Sequence, residues 1–253
     1  MGFGDVLLSI GEAKALHKRT GQRVMIVGRD GRPVKSDLFD WLPYLVTHPR
    51  LANGQPYQRL INGSGVRPYI AAKADTHWTW RKYKPIPAEV RFTSAEVSFA
   101  EPYRGLVMLV PEVKKIGHSN KDWGPIYWSQ LDCLLHSAGI ATVQCGPSGT
   151  HWLHNATHAV TPTFRHALAV LSVCRAVVTT EGGLMHGAAA VGTPAVVIWS
   201  EFISPEITGY PQHRNLRKAG EPCGRRIDCE GCRKSLTAIT PVEVFNALKE
   251  VLG

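Results

Sequence analysis

The chain has 253 residues, 44% of them hydrophobic, and a formal net charge of +9 from 29 Lys and Arg against 20 Asp and Glu. That length can bury a large core, as one domain or two small ones, and no run of roughly 18 apolar residues is available to span a bilayer. No basic-then-apolar leader opens the chain, and Val6 stands where a myristoylation signal needs Ser or Thr, so a cytoplasmic location is expected, with an anionic membrane surface as one partner the charge allows.

Apolar residues at Val6, Leu7, Ile10, Ala13 and Leu16 have helical spacing, ended by Gly21, and Arg23–Val27 reads as a strand. Gly4 and Asp5 therefore sit at a helix start. A nucleotide-type α/β domain would place a strand before such a loop, yet only Met1 to Phe3 precede it, so that strand is expected to be very short or missing. From Ser36 to Tyr103 the pattern weakens to a helical or turn segment at Asp37–Leu45 and extended pieces at Tyr57–Ile61 and Arg67–Ala71. The run from Thr76 to Lys84 interleaves aromatic and basic residues, including Trp78, Trp80 and Arg81. It reads either as a face for a sugar, phosphate or base, or as a half-buried surface with snorkelling cations.

A cleaner rhythm starts at Leu106–Val110, a strand, followed by Lys114, Lys115 and Lys121. A helix is expected over Pro125–Ser137, strands at Ile140–Cys145 and near His158–Val160, and a helix over Thr163–Val173 with Phe164 and Arg165 at its start. Two β-branched runs, Ala176–Thr179 and Ala195–Trp199, then bracket a small-residue helix that begins at Gly182 and Gly183. The last helix starts at Thr240-Pro241. Strands alternating with helices imply a parallel sheet covered on both faces, with ligands beyond the carboxyl ends of the strands.

The Glu181 to His186 turn combines glycines with the free N–H groups of a helix start, which suits a phosphate. Lys115, Lys121 and Arg165 add cations, and Asp5 adds one potential base. Each has a plain alternative: Asp5 as a helix-capping residue, Lys121 as a solvated lysine beside a packed Trp123, His186 as a core histidine, Glu181 as a carboxylate favoured by the helix dipole. In the loop Glu201–Asn215, Ser204, Thr208, Tyr210 and His213 either face the cleft or form surface. Cys223, Cys229 and Cys232 read as a structural zinc site, with His213 the nearest histidine in sequence, or as packed thiols or a disulfide. Cys133, Cys145 and Cys174 lie in apolar contexts and are expected to be buried.

The segment VVTTEGGLMHGAAAVGTPAVVIWS resembles the donor-binding segment of the heptosyltransferase family, which usually reads D-T-G-x-x-H-x-A-A-x-x-x-x-P. GFGDVLLSIGEAKAL is similar to that family's opening G-D loop and helix, and NKDWGPIYWSQLDCLL to its K-x-W element. The resemblance implies a GT-B-like α/β architecture, two Rossmann-like halves with parallel sheets facing across a cleft. Here the N-terminal half is reduced: residues 1–104 on the acceptor side, 105–253 binding the nucleotide sugar, the last helix packing back on the first half. It implies an inverting glycosyltransferase moving a sugar from a nucleotide-diphosphate sugar to a glycan such as a lipopolysaccharide core sugar, without a catalytic metal. Asp5 would be the base; Lys121, Gly182, Gly183, Leu184 and His186 would hold the donor, with Glu181 in place of the usual aspartate. Gly4, Trp78, Trp80, Arg81, Tyr210 and His213 fall on the acceptor side. Two other readings stand beside it: the same chemistry on a DNA base, and a binding module without turnover.

Overall fold

A computed structural model describes residues 2–62, 67–112, 120–218 and 220–253. Its centre is a six-stranded sheet, parallel throughout, formed by β5 (Val107–Val110), β6 (Thr142–Gly146), β7 (Thr157–Val160), β8 (Ala176–Thr180), β9 (Ala195–Ile198) and β10 (Arg214–Leu216). The spatial order is β10-β9-β8-β5-β6-β7, so the chain winds outward from β5 in both directions and reverses between β5 and β8.

Alternate strand residues serve opposite faces, as the period-2 pleat requires. Val107, Leu109, Val178 and Val196 pack under α3 (Pro125–Ser137) and α8 (Pro241–Leu252), while Met108, Val143, Val177 and Val197 pack under α4 (Phe164–Val173) and α5 (Gly183–Val191). Because both faces are covered, these strands carry the near-continuous apolar runs visible in the sequence. The principal neighbours of α8 are α3, β8, β9 and β10, so the last helix completes its own layer instead of packing back on the N-terminal residues. The reason is its apolar face: Val244, Ala247 and Leu248 all enter the cluster on α3.

The N-terminal strands form two small two-stranded sheets. Long α1 (Phe3–Thr20) leads to β1 (Arg23–Val27), which pairs in parallel with β2 (Tyr57–Ile61), and β3 (Ile70–Lys73) with β4 (Trp78–Trp80) makes an antiparallel hairpin. Asp37–Leu45 yields only a single 3-10 turn at Asp37–Phe39. Then α2 (Ser94–Ala100) forms behind a complete capping box, in which Thr93 and Glu96 satisfy each other's backbone N–H groups. The remaining short helices are α6 (Pro205–Thr208) and α7 (Glu230–Thr237). The N-terminal elements pack on the helices of the large sheet mainly where α1 lies on α5 and α2 on α4. Glycine permits the first of these. A Cβ on Gly4 would come 2.9 Å from the His186 ring; elsewhere on α1, a Cβ on Gly11 would fall 2.0 Å from the carbonyl oxygen of Ile86 in the segment before α2.

Candidate functional site

The reversal between β5 and β8 opens a crevice at the carboxyl ends of those strands, where ligands bind in sheets of this kind. A cavity of about 440 Å³ occupies it, lined by Val110, Thr179, Thr180 and the turn from Glu181 to Leu184 on one side. Gly2 to Asp5 at the start of α1, together with the β3–β4 hairpin, lines the other. The close approach of α1 to α5 thus brings Asp5 opposite the glycine turn, across the cavity.

Asp5 does not cap α1; the N-cap is Gly2, and no side chain caps it. The Asp5 carboxylate is buried and held from the hairpin side. Arg67 Nε donates to Oδ2 at 2.9 Å and the Tyr69 hydroxyl donates to Oδ1 at 2.9 Å. Each oxygen keeps a further lone pair for a substrate proton. Burial, with Asp5 adding its negative charge, raises the Tyr69 hydroxyl well above its ordinary range, so it stays a donor.

On the opposite wall Lys121 pairs with Glu181, and its Nζ also lies 4.9 Å from the Phe202 ring centre. The longer carboxylate at Glu181 reaches the cation directly, and the pair sits at the mouth of the turn whose N–H groups open α5. His186, one turn into α5, is buried, and burial pushes it down to about 3, so the imidazole is neutral. Its Nδ1 lies 3.0 Å from the Tyr210 hydroxyl. Burial likewise keeps Tyr210 protonated, so its hydroxyl donates to Nδ1 and the ring proton is assigned to Nε2, the edge nearest Gly4. The site therefore sets the Asp5 carboxylate opposite a cation, a helix start and a neutral N–H donor, with Glu112 and Glu181 as the other carboxylates of the lining. That set can deprotonate a hydroxyl on one side and stabilise a diphosphate on the other.

The structure redistributes several residues chosen from the sequence. Asp5, Gly4, Lys121, Glu181, Gly182, Gly183, Leu184, His186, Trp78 and Trp80 all line this cavity. Lys115 lies outside the described residues, as does Lys114. Arg165 is not in the cleft: its guanidinium is buried against Glu96 of α2. Arg81 is exposed, and its backbone N–H bonds Tyr69. Tyr210 is buried behind His186 and touches the site only through its hydroxyl. His213 is buried against the Tyr210 ring, 5.2 Å between centres, and stands apart from the cysteines. Trp123 is a core residue whose indole N–H bonds the Ile239 carbonyl. Cys133 is exposed on α3, because its neighbours Leu131 and Leu135 take the inward face; Cys145 is half-buried and Cys174 buried. Arg67 and Tyr69 escaped the sequence reading. A weak extended stretch gave no sign that it would reach back to Asp5.

Cys223, Cys229 and Cys232 converge. Their sulfurs lie within 4.8 Å of one another, with Cys223 Sγ at 3.8 Å from Cys229 and 3.4 Å from Cys232. Thiolates about 2.3 Å from a tetrahedral metal stand ~3.8 Å apart, so the donor set fits a borderline metal with one coordination position left over. Asn120, the neighbour of Lys121, binds this loop through the carbonyls of Arg225 and Ile227 and the N–H of Cys229.

Comparison with known proteins identifies the family. Residues 76–230 match the family described as glycosyltransferase family 9 (heptosyltransferase). Lipopolysaccharide heptosyltransferase 2 of Escherichia coli K12 is 29% identical over 150 residues, covering 52% of this chain and 43% of its own length; the chain thus matches less than half of that relative. Among solved structures, a glycosyl transferase family 9 protein from Veillonella parvula DSM 2008 aligns over 100% of this chain and 95% of its own, with 13% identity and a TM-score of 0.70. The iron-containing dodecameric glycosyltransferase TibC from enterotoxigenic E. coli H10407 aligns over 99% and 74%, with 15% identity and a TM-score of 0.63. These two share the fold. Asp5, Arg67 and Tyr69 lie outside the residues matched to the family.

Proposed function

The chain belongs to glycosyltransferase family 9, and we propose that it transfers a sugar from a nucleotide-diphosphate sugar to a saccharide hydroxyl, inverting the anomeric carbon. The observation that carries this reading is the placement of Asp5 and the Glu181–His186 turn on opposite walls of one cavity. Asp5 takes the proton of the acceptor hydroxyl as its oxygen attacks the anomeric carbon, and the bond to the diphosphate breaks on the far side. Lys121, the N–H groups at the start of α5 and His186 Nε2 stabilise the departing charge. Arg67 and Tyr69 hold the carboxylate in line. The donor half needs no catalytic metal in this scheme.

The acceptor we propose is an anionic glycan such as a lipopolysaccharide core sugar, reached from the cytoplasm at the inner membrane surface. Among the described residues no helix is long and apolar enough to cross a membrane. A second acceptor, a DNA base, draws support from Trp78, which is flanked by Arg67, Lys73 and Arg226 at 5.0, 5.8 and 4.6 Å. Steep salt dependence of DNA binding would favour it, and no binding at low salt would remove it. Cys223, Cys229 and Cys232 are proposed to hold a structural zinc or iron ion, which when bound would fix their loop.

Asp5→Asn tests the assignment. Transfer from a panel of nucleotide sugars should fall by about 10²–10⁴-fold, the contribution of a general base, with nucleoside-diphosphate affinity unchanged. Undiminished transfer in that variant removes Asp5 from the base role.

A further inference from the structure

Lys121 stands on the cavity wall opposite Asp5, and the cysteine loop bears on it from both ends of its side chain. At the backbone end, the preceding residue Asn120 is buried and commits both of its amide donors to that loop. Its Nδ2 donates to the carbonyls of Arg225 and Ile227 at 2.7 and 2.9 Å, and its Oδ1 accepts the Cys229 N–H at 3.1 Å. At the ammonium end, Lys121 Nζ lies 4.9 Å from the centre of the Phe202 ring. The Phe202 carbonyl in turn accepts the Gly224 N–H at 3.0 Å, and the Glu201 carbonyl accepts the Cys223 N–H at 2.6 Å. The loop thus grips both the residue before Lys121 and the residue that its charged end faces.

The loop is itself pinned to the β3–β4 hairpin. The Trp78 N–H donates to the Gly224 carbonyl at 2.9 Å and the Arg226 N–H to the Thr76 carbonyl at 2.8 Å. Gly224 has a φ of +62°, and a Cβ there would fall 1.8 Å from the Trp78 carbonyl oxygen, so this close approach requires glycine. On the far side of Lys121, Trp123 is buried and its indole N–H bonds the Ile239 carbonyl. Lys121 is therefore held between two buried anchors, one in the core of the large sheet and one on the cysteine loop.

We propose that Asn120 is a positioning residue for the donor diphosphate, setting the place of Lys121 through the cysteine loop without touching the ligand. It does not itself line the cavity. The inference rests on the reading of Lys121 as a donor-phosphate ligand and adds what holds that cation. A lysine is a point charge on a flexible four-carbon stem, so its grip on a phosphate depends on where the stem starts and what meets the ammonium. Glu181 and Phe202 meet the ammonium; Asn120 fixes the start of the stem. The hydrogen bonds run to the loop's backbone, so this brace does not depend on an ion at the cysteines.

The test is a double-mutant cycle on the full chain: wild type, Asn120→Ala, Lys121→Ala and the double variant. Titration calorimetry with ADP and with UDP, below the Tm of each protein, supplies the affinities. Lys121→Ala should weaken binding by about tenfold or more, as loss of a charge-assisted hydrogen bond does. Asn120→Ala should weaken it by a smaller factor, roughly threefold or more, and the double variant should bind like Lys121→Ala alone, since Asn120 acts through the lysine. A general loosening of the fold would instead multiply the two losses. Asn120→Asp keeps the size of the residue and the acceptor for the Cys229 N–H but loses both donors. It should behave like Asn120→Ala, and it carries the cycle if the alanine variant does not fold. Wild-type affinity in either Asn120 variant beside a weakened Lys121→Ala, or losses that multiply in the double variant, overturns the proposal and leaves the donor reading standing. Wild-type affinity in Lys121→Ala, or no binding of either nucleotide by wild-type protein, removes the donor reading and the proposal with it.

Discussion

Replacing Arg165 by Ala would leave the buried Glu96 carboxylate without its cation. Arg165 Nε and Nη2 donate to the two oxygens of Glu96 at 2.6 and 2.8 Å, and Nη1 and Nη2 also satisfy the carbonyls of Asp37 and Arg91 at 2.9 and 2.6 Å. Both side chains of the pair are less than a tenth exposed. Removing one member of such a pair costs about 3–5 kcal/mol. The titration of Glu96 points the same way: hydrogen bonding from Arg165, with smaller help from Thr93, lowers it from 4.5 to about 2, a combined effect of roughly 3 kcal/mol. Because the folded value lies below the unfolded one, this stabilisation is complete above pH 4.5 and is lost as pH falls through about 2. Thermal unfolding at pH 7 should show Tm lowered by roughly 6–20 °C, with the gap to wild type closing below pH 4.5. Nucleoside-diphosphate affinity, measured well below the variant's Tm, should be unchanged. A loss under about 1 kcal/mol, typical of an exposed pair, or a lost nucleotide affinity at full stability, would refute the structural role and return Arg165 to the donor site.

The other two expectations concern packing and the cysteines. Gly11→Ala should destabilise by about 1–3 kcal/mol in urea unfolding, because its Cβ meets the Ile86 backbone; Gly187→Ala, whose Cβ meets only the movable end of Leu168, should cost less. Equal costs would mean that segment 86 yields as easily as a side chain. Protein purified without chelator should carry zinc or iron by elemental analysis, and Cys223→Ser/Cys232→Ser should lose it. That variant should also be cut faster by protease near residues 76–80, since the cysteine loop bonds Trp78 N–H through the Gly224 carbonyl at 2.9 Å and the Thr76 carbonyl through the Arg226 N–H at 2.8 Å. Metal-free wild-type protein would defeat the metal assignment.

Much of the large sheet is readable in the sequence. β8 and β9 are β-branched runs of four or five residues, β5 is a short apolar run, and α3, α5 and α8 start at Pro125, Gly183 and Pro241 where glycine or proline marks the junction. The glycine turn that lines the cavity is legible for the same reason. Even α2 carried its signal, the Thr93–Glu96 capping box, although the weak pattern around it hid the helix. All of these depend on interactions within a few residues, and short-range preferences are written directly in the order of residue types.

Side-chain partnership is another matter. Arg67 and Tyr69 reach Asp5 across 62 and 64 residues, and Arg165 reaches Glu96 across 69. A cation ahead of a helix looks the same in sequence whether it faces a phosphate or a buried carboxylate, and α2 packing on α4 is what directs Arg165 to the carboxylate. Likewise Asp5 read as a cap or a base, and only the packed structure, with Gly2 at the cap and Arg67 and Tyr69 on the carboxylate, removed the first of these. The local chain determined which elements form and where a glycine turn opens a helix. Which charges meet was decided only when the helices packed, because the cost of burying an unpaired charge is set by the groups that burial brings together.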